Sequence, residues 1–245
     1  MKLKFVIFAP VALALLAYAF YLGMFAAPTE ATMGDVQRIF YYHVPSAWTA
    51  FLCFFANFGA SIVYLGRRGK RADAFAVAAA EVGVVFCTVV LVTGPLWARP
   101  VWGIWWTWDA RLTSTLILWL IYVSYLMLRK FAVGGQTPLL AAALAVFGFI
   151  DVPIVYLSIR YFRTQHPQPV IGGGPGTGLD PAMAKALVVN WLAFMVLAGI
   201  VIALRYRLEL LRQQVEEEHL LREETADGGA VPAPQTSETG RAISS

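Results

Sequence analysis

Six apolar stretches dominate this chain, near residues 5–26, 45–65, 75–96, 112–128, 138–160 and 183–204. Each is close to the roughly 20 residues a helix needs to cross a bilayer. A lipid-embedded segment must satisfy every backbone N–H and C=O internally, so stretches of this length are read as helices and not as open-edged strands. Only 14% of the residues are charged and 59% are apolar, against about 25% charged in soluble domains. The expected fold is an all-α integral membrane protein with six transmembrane helices. Lys2 and Lys4 precede the first stretch and Ala26 and Ala27 follow it, as in a cleavable signal. Its apolar core is longer than the ~7–15 residues of such signals, which favours a retained helix.

The basic residues orient the spans. One set of flanks holds Lys2, Lys4, Arg67, Arg68, Lys70, Arg71, Arg129, Lys130, Arg205, Arg207, Arg212, Arg222 and Arg241, thirteen of the 19 Lys and Arg. The other set holds Arg38, Arg99, Arg111, Arg160, Arg163 and Lys185. By the positive-inside rule the first set and both termini are cytoplasmic. The outer loops are then about 27–44, 97–111 and 161–182. Residues 1–204 read as a six-span membrane domain, 205–225 as a cytoplasmic helical extension with Arg212/Glu216 and Glu218/Arg222 at i,i+4 spacing, and 226–245 as a disordered tail. Cys53 and Cys87 lie inside apolar runs, with neither redox nor zinc spacing. No phosphate-binding G-x-x-x-x-G-K-[ST] motif occurs, which argues against ATP hydrolysis by this chain. The stretch Ile171–Gly178 is glycine-rich but has no strand before it, and reads as a flexible connection.

The second outer loop concentrates the chemistry. Trp97, Trp102, Trp105, Trp106 and Trp108 are five of the chain's eight tryptophans, and Asp109 follows them. An interfacial belt accounts for Trp48, Trp119 and Trp191, but a cluster this dense suits a flat platform for a large planar ligand. Two of the three histidines face the same side: His43 at the end of the first outer loop and His166 in the third. His219 lies among glutamates on the cytoplasmic tail. A lone interfacial histidine can simply hydrogen-bond loop backbone, but two flanking an aromatic platform can hold haem iron from both faces. Arg38 and Arg111 offer cations for the haem propionates, with interfacial anchoring the alternative for Arg111. Asp109 would repel propionates and is better read as the N-cap of the fourth helix or as an acceptor for a tryptophan N–H.

Two acids, Glu81 and Asp151, lie inside spans. Intramembrane acids line transport paths or pair structurally, and Asp151 precedes Val152-Pro153, where a proline kink frees backbone groups. A small-solute transporter built on Glu81 and Asp151 is therefore one rival reading, though it leaves the tryptophans without a role. A b-type electron-transfer cytochrome is another, but it would place its histidines within facing spans, and the spans as drawn contain none.

Three stretches carry a family resemblance: Arg38-Ile-Phe-Tyr-Tyr-His43-Val-Pro-Ser-Ala-Trp48, Trp102 through Ser114, and Arg163-Thr-Gln-His166-Pro. Together they resemble the tryptophan-rich (WWD) haem-handling proteins of cytochrome c biogenesis, and the six-span layout is similar to the haem exporter protein C (CcmC) family of maturation system I. The resemblance covers roughly residues 5–204. It implies axial iron ligation by His43 and His166, haem contacts from Trp102, Trp105, Trp106 and Trp108 with Asp109 supporting them, and propionate contacts from Arg38 and Arg111. It implies haem b as the transported ligand, at the periplasmic face of an inner membrane. It also implies delivery to a periplasmic haem chaperone (maturation factor E), alongside a small single-span subunit (factor D) and ABC transporter A–B subunits. On that reading the chain is a binding and transfer scaffold, with no catalytic residue of its own.

Overall fold

A computed structural model describes residues 2–132, 134–162, 164–167 and 178–228. Arg163, the segment 168–177 that includes most of the glycine-rich stretch, and the tail 229–245 lie outside the described residues. The described residues form seven α-helices: α1 (Lys2–Tyr21), α2 (Phe40–Arg67), α3 (Lys70–Trp102), α4 (Ala110–Phe131), α5 (Thr137–Phe149), α6 (Asp151–Tyr161) and α7 (Pro181–Gly228). A π turn, Leu22–Ala26, extends α1, and a 3-10 turn, Asp35–Ile39, leads into α2. Six of the helical segments are long and apolar enough to cross a membrane: Ala9–Ala26, Asp35–Arg67, Lys70–Trp102, Ala110–Phe131, Thr137–Tyr161 and Pro181–Glu223. The protein is thus a multi-pass helical membrane protein.

The helices outrun the apolar stretches that mark them, and this moves three residues of the site. Pro45 sits inside α2, not ahead of it. Proline's fixed φ suits a helix, and only the Tyr41 carbonyl loses a donor there. His43 therefore lies in the first turn of α2, not in a loop. Pro95 and Pro100 likewise fail to stop α3. It ends where Gly103 turns left-handed (φ 78) and returns its N–H to the Arg99 carbonyl at 3.0 Å, a glycine C-terminal cap. Trp97 and Trp102 are therefore helical, and the loop proper is Gly103–Asp109.

The fifth span bends where the sequence placed a kink. Pro153 has no N–H for the Phe149 carbonyl, and the Ile150 N–H turns back tightly to Phe147 O at 3.1 Å. The bend separates α5 from α6. Helices α2 and α3 form an antiparallel hairpin across Arg68-Gly69, and small residues let them close up, as membrane helix pairs require. Ala74, Ala76, Ala78, Ala79 and Ala80 are buried, and a Cβ on Gly83 would come within 2.6 Å of Phe54 Cε1. Phe54 in turn stacks on Tyr122 of α4 at 3.8 Å.

Polar side chains tie the helices together. Glu81 forms a two-pronged ion pair with Arg205 of α7 at 2.5 and 2.6 Å, so this intramembrane acid is paired structurally. Asp73 pairs with Arg129, which joins α3 to α4, and accepts from Gln213 Nε2 of α7 at 2.9 Å. Asn190 Nδ2 holds α7 against the Ala19 carbonyl of α1 at 2.9 Å. These ties leave one end of α2, α3, α4 and α6 free to enclose a cavity.

Candidate functional site

The cavity lies where the start of α2, the end of α3, the start of α4 and the end of α6 meet. Its empty space is about 1110 Å³, counting the volume open at its mouth. Ala47, Ala50, Phe51, Cys87, Val90 and Leu91 make an apolar floor, while His43, Arg111 and His166 add the polar groups. An apolar pocket with few, well-placed polar groups is the usual form of a small-molecule site.

His43 and His166 face each other across this space, with ring centroids 6.5 Å apart and planes 33° from parallel. Two metal–imidazole bonds of about 2 Å, plus a ring radius on either side, sum to about 6 Å between centroids. The separation therefore suits one metal atom held between the rings. Both rings also have Nδ1 engaged. Thr93 Oγ1 donates to the Val89 carbonyl at 2.6 Å, so it accepts from His43 Nδ1–H at 2.8 Å. His166 Nδ1 lies 2.9 Å from the Pro167 carbonyl, which can only accept. In each ring the proton is thereby assigned to Nδ1, leaving the Nε2 lone pair for a metal, the usual arrangement behind a ligating histidine. Burial, with the positive charge of Arg111 nearby, pushes the His166 imidazole down to about 4, so it stays in the neutral, ligating form at neutral pH.

The tryptophans divide into two groups. Trp97, Trp102 and Trp106 line the cavity. Trp97 meets His43 edge to face at 5.9 Å. The indole N–H groups of Trp97 and Trp106 are buried with no partner among the described residues, so two donors stand ready for an occupant. Trp105 and Trp108 do not line the cavity and are 55% and 76% exposed. Trp108 meets Trp106, a lining residue, edge to face at 5.7 Å.

The two arginines also part company. Arg111 lines the cavity while Nη1 donates to the Val155 carbonyl at 3.0 Å, bracing α4 against α6. Arg38 is not among the lining residues. Its guanidinium donates to the carbonyls of Gly23 and Ala27, to Thr29 Oγ1 and to Asp35 Oδ1 at 3.1 to 3.3 Å, fastening the first loop to the end of the π turn. Asp109 caps α4 by accepting the Leu112 N–H at 2.9 Å, as its position before the fourth span predicts. Asp151 is not among the residues that line the cavity, and its Oδ2 is buried without a partner among the described residues.

A family model described as Heme exporter protein C matches residues 2–221. The chain belongs to the heme exporter protein C family. It is 36% identical over 190 residues to heme exporter protein C of Bradyrhizobium diazoefficiens, covering 77% of this chain and 72% of that one. Its identity to the Escherichia coli K12 protein of the same name is 32% over 186 residues, or 76% and 75% of the two chains. A ccmC-like mitochondrial protein of cytochrome c biosynthesis from Marchantia polymorpha is 35% identical over 193 residues, 79% of this chain and 82% of that one.

In this member of the heme exporter protein C family, two residues shape the site that the sequence alone does not single out, Thr93 and Thr164. Thr93 sets the His43 tautomer, and Trp97 packs on its ring. The two stand four apart on one face of α3, so the tryptophan points back to the threonine once α3 is known to be helical that far. Thr164 receives the His166 N–H at 3.1 Å and donates to Asp109 Oδ2 at 2.9 Å. Its position two residues before a histidine is its only sequence signal.

Proposed function

We propose that this protein binds haem b between His43 and His166 at the periplasmic face of the inner membrane and delivers it to a periplasmic haem chaperone for c-type cytochrome maturation. The facing imidazoles carry this reading: 6.5 Å apart, each with Nδ1 engaged, they suit a six-coordinate iron. Trp97, Trp102 and Trp106 give the macrocycle an aromatic wall with two indole N–H donors, and Arg111 gives a propionate its cation. Family membership supports the same role, since the bacterial relatives carry the name heme exporter protein C and the plant relatives are named for cytochrome c biosynthesis. A bis-histidine site holds the iron while leaving no vacant position for oxygen chemistry, which suits cargo awaiting transfer. The protein acts as a scaffold that orients haem toward its acceptor, within an assembly of the factor E chaperone, the single-span factor D and the A–B transporter subunits.

The test is an absorption spectrum of the purified protein with a pyridine haemochrome assay, beside His43→Ala and His166→Ala. A low-spin six-coordinate haem b spectrum that collapses in both variants is expected. Wild-type protein that takes up no haem, even beside its partner subunits, overturns the reading.

A further inference from the structure

The two histidines are held very differently. His43 stands in the first turn of a 28-residue helix with Thr93 fixing its ring. His166 stands on irregular chain between α6 and α7, and among the described residues its ring nitrogen Nδ1 reaches its neighbour, the Pro167 carbonyl. What fixes its backbone is Thr164, whose hydroxyl accepts the His166 N–H and donates to Asp109 Oδ2. That same carboxylate oxygen accepts the Thr107 hydroxyl at 3.2 Å, and Thr107 lies between Trp106 and Trp108. One oxygen atom thus pins both the tryptophan loop and the histidine loop, while Oδ1 is fixed to the start of α4 by Leu112.

We propose that the Asp109–Thr164 hydrogen bond is a latch that holds His166 in its ligand position, and that opening it is how His166 leaves the iron when the tryptophan loop moves. The inference rests on the haem reading above and makes Asp109 and Thr164 positioning residues. The geometry gives the coupling a direct path, because displacement of Thr107 pulls on the atom that holds Thr164. A hydroxyl has one proton, and here it goes to the carboxylate while a lone pair takes the His166 N–H. Valine at position 164 keeps the shape and loses both bonds.

The experiment compares wild type, Thr164→Val and Thr164→Ser in three readouts. In haem-loaded protein, Thr164→Val is expected to shift the spectrum from six-coordinate toward the five-coordinate form given by His166→Ala, and Thr164→Ser to restore it. Haem transfer to a haem-free globin is expected to speed up about 10- to 100-fold in Thr164→Val, the usual consequence of losing a partner behind a metal ligand. In haem-free protein, amide exchange across residues 164–166 is expected to rise in Thr164→Val alone. Thr164→Ala supplies the same comparison should valine prevent folding. Unchanged spectrum and transfer rate in a Thr164→Val protein that binds haem overturn the latch while leaving the haem reading intact. Absence of haem from wild type overturns the haem reading itself, and the exchange measurement then decides separately whether Thr164 holds His166.

Discussion

Thr93 carries no charge and binds no ligand directly, yet the state of His43 depends on it. Its hydroxyl proton goes to Val89 O, so it can only accept from His43, which holds the imidazole proton on Nδ1. Thr93→Val keeps the side-chain volume and leaves that N–H unpaired. Haem affinity is expected to fall about 10- to 100-fold, read by titrating haem into the apoprotein, while Thr93→Ser stays near wild type. The tryptophans offer a second contrast at this scale. Trp102→Ala and Trp106→Ala remove cavity wall and should weaken haem retention in the haemochrome assay. Trp105→Ala and Trp108→Ala remove exposed rings and should leave haem content near wild type, though the family resemblance places all four in contact with haem. Equal loss of haem in all four variants would mean that the loop closes over its cargo with the outer rings turned inward.

At the scale of helices, the site is kept in shape from the far end of the bundle. Asp73 near the start of α3 and Arg129 near the end of α4 form a two-pronged pair whose side chains are 7% and 11% exposed. Removing one member of a buried pair strands the other. Asp73→Ala is expected to destabilise the protein by about 3 kcal/mol, the low end of the range for such pairs, because Glu209 remains 3.7 Å from Arg129. Denaturant unfolding in detergent reads this, and the spectrum of the folded fraction should be unchanged. Gly83→Val tests the hairpin: the new side chain would collide with Phe54, so a loss of about 1–3 kcal/mol or more is expected. The number and order of the spans were legible in the sequence, because about 20 apolar residues are what a bilayer demands. Their ends were not. Hydropathy marks where chain meets lipid, whereas α3 stops where Gly103 can turn left-handed, beyond both of its prolines. Of the site, His43, His166 and the cluster around Trp106 stood out because their side chains are rare and chemically distinct. The supports did not: one hydroxyl at Thr93 or Thr164 looks like any other in the sequence. The carbonyls of Gly23 and Ala27 that engage Arg38 come within its reach only once the chain has folded.

For the whole molecule, the cavity and the denser groups of basic residues at the helix ends lie at opposite ends. Arg67, Arg68, Lys70 and Arg71 flank the α2–α3 turn, and Arg129 and Lys130 close α4, whereas His43, Trp102 and Arg111 lie at the other ends of the same helices. With Lys and Arg held on the cytoplasmic side, this charge asymmetry is expected to turn the cavity outward. Cysteine labelling tests that orientation in the native chain, because Cys53 and Cys87 are 4% and 2% exposed and should resist an aqueous reagent. Ile104, in the tryptophan loop, and Gln136, at the start of α5, are both exposed. In spheroplasts a membrane-impermeant maleimide is expected to label Ile104→Cys directly and Gln136→Cys only after lysis. The reverse pattern would put the histidine pair in the cytoplasm. No periplasmic acceptor could then reach its haem, and the delivery reading would fail even if both histidines bound the iron.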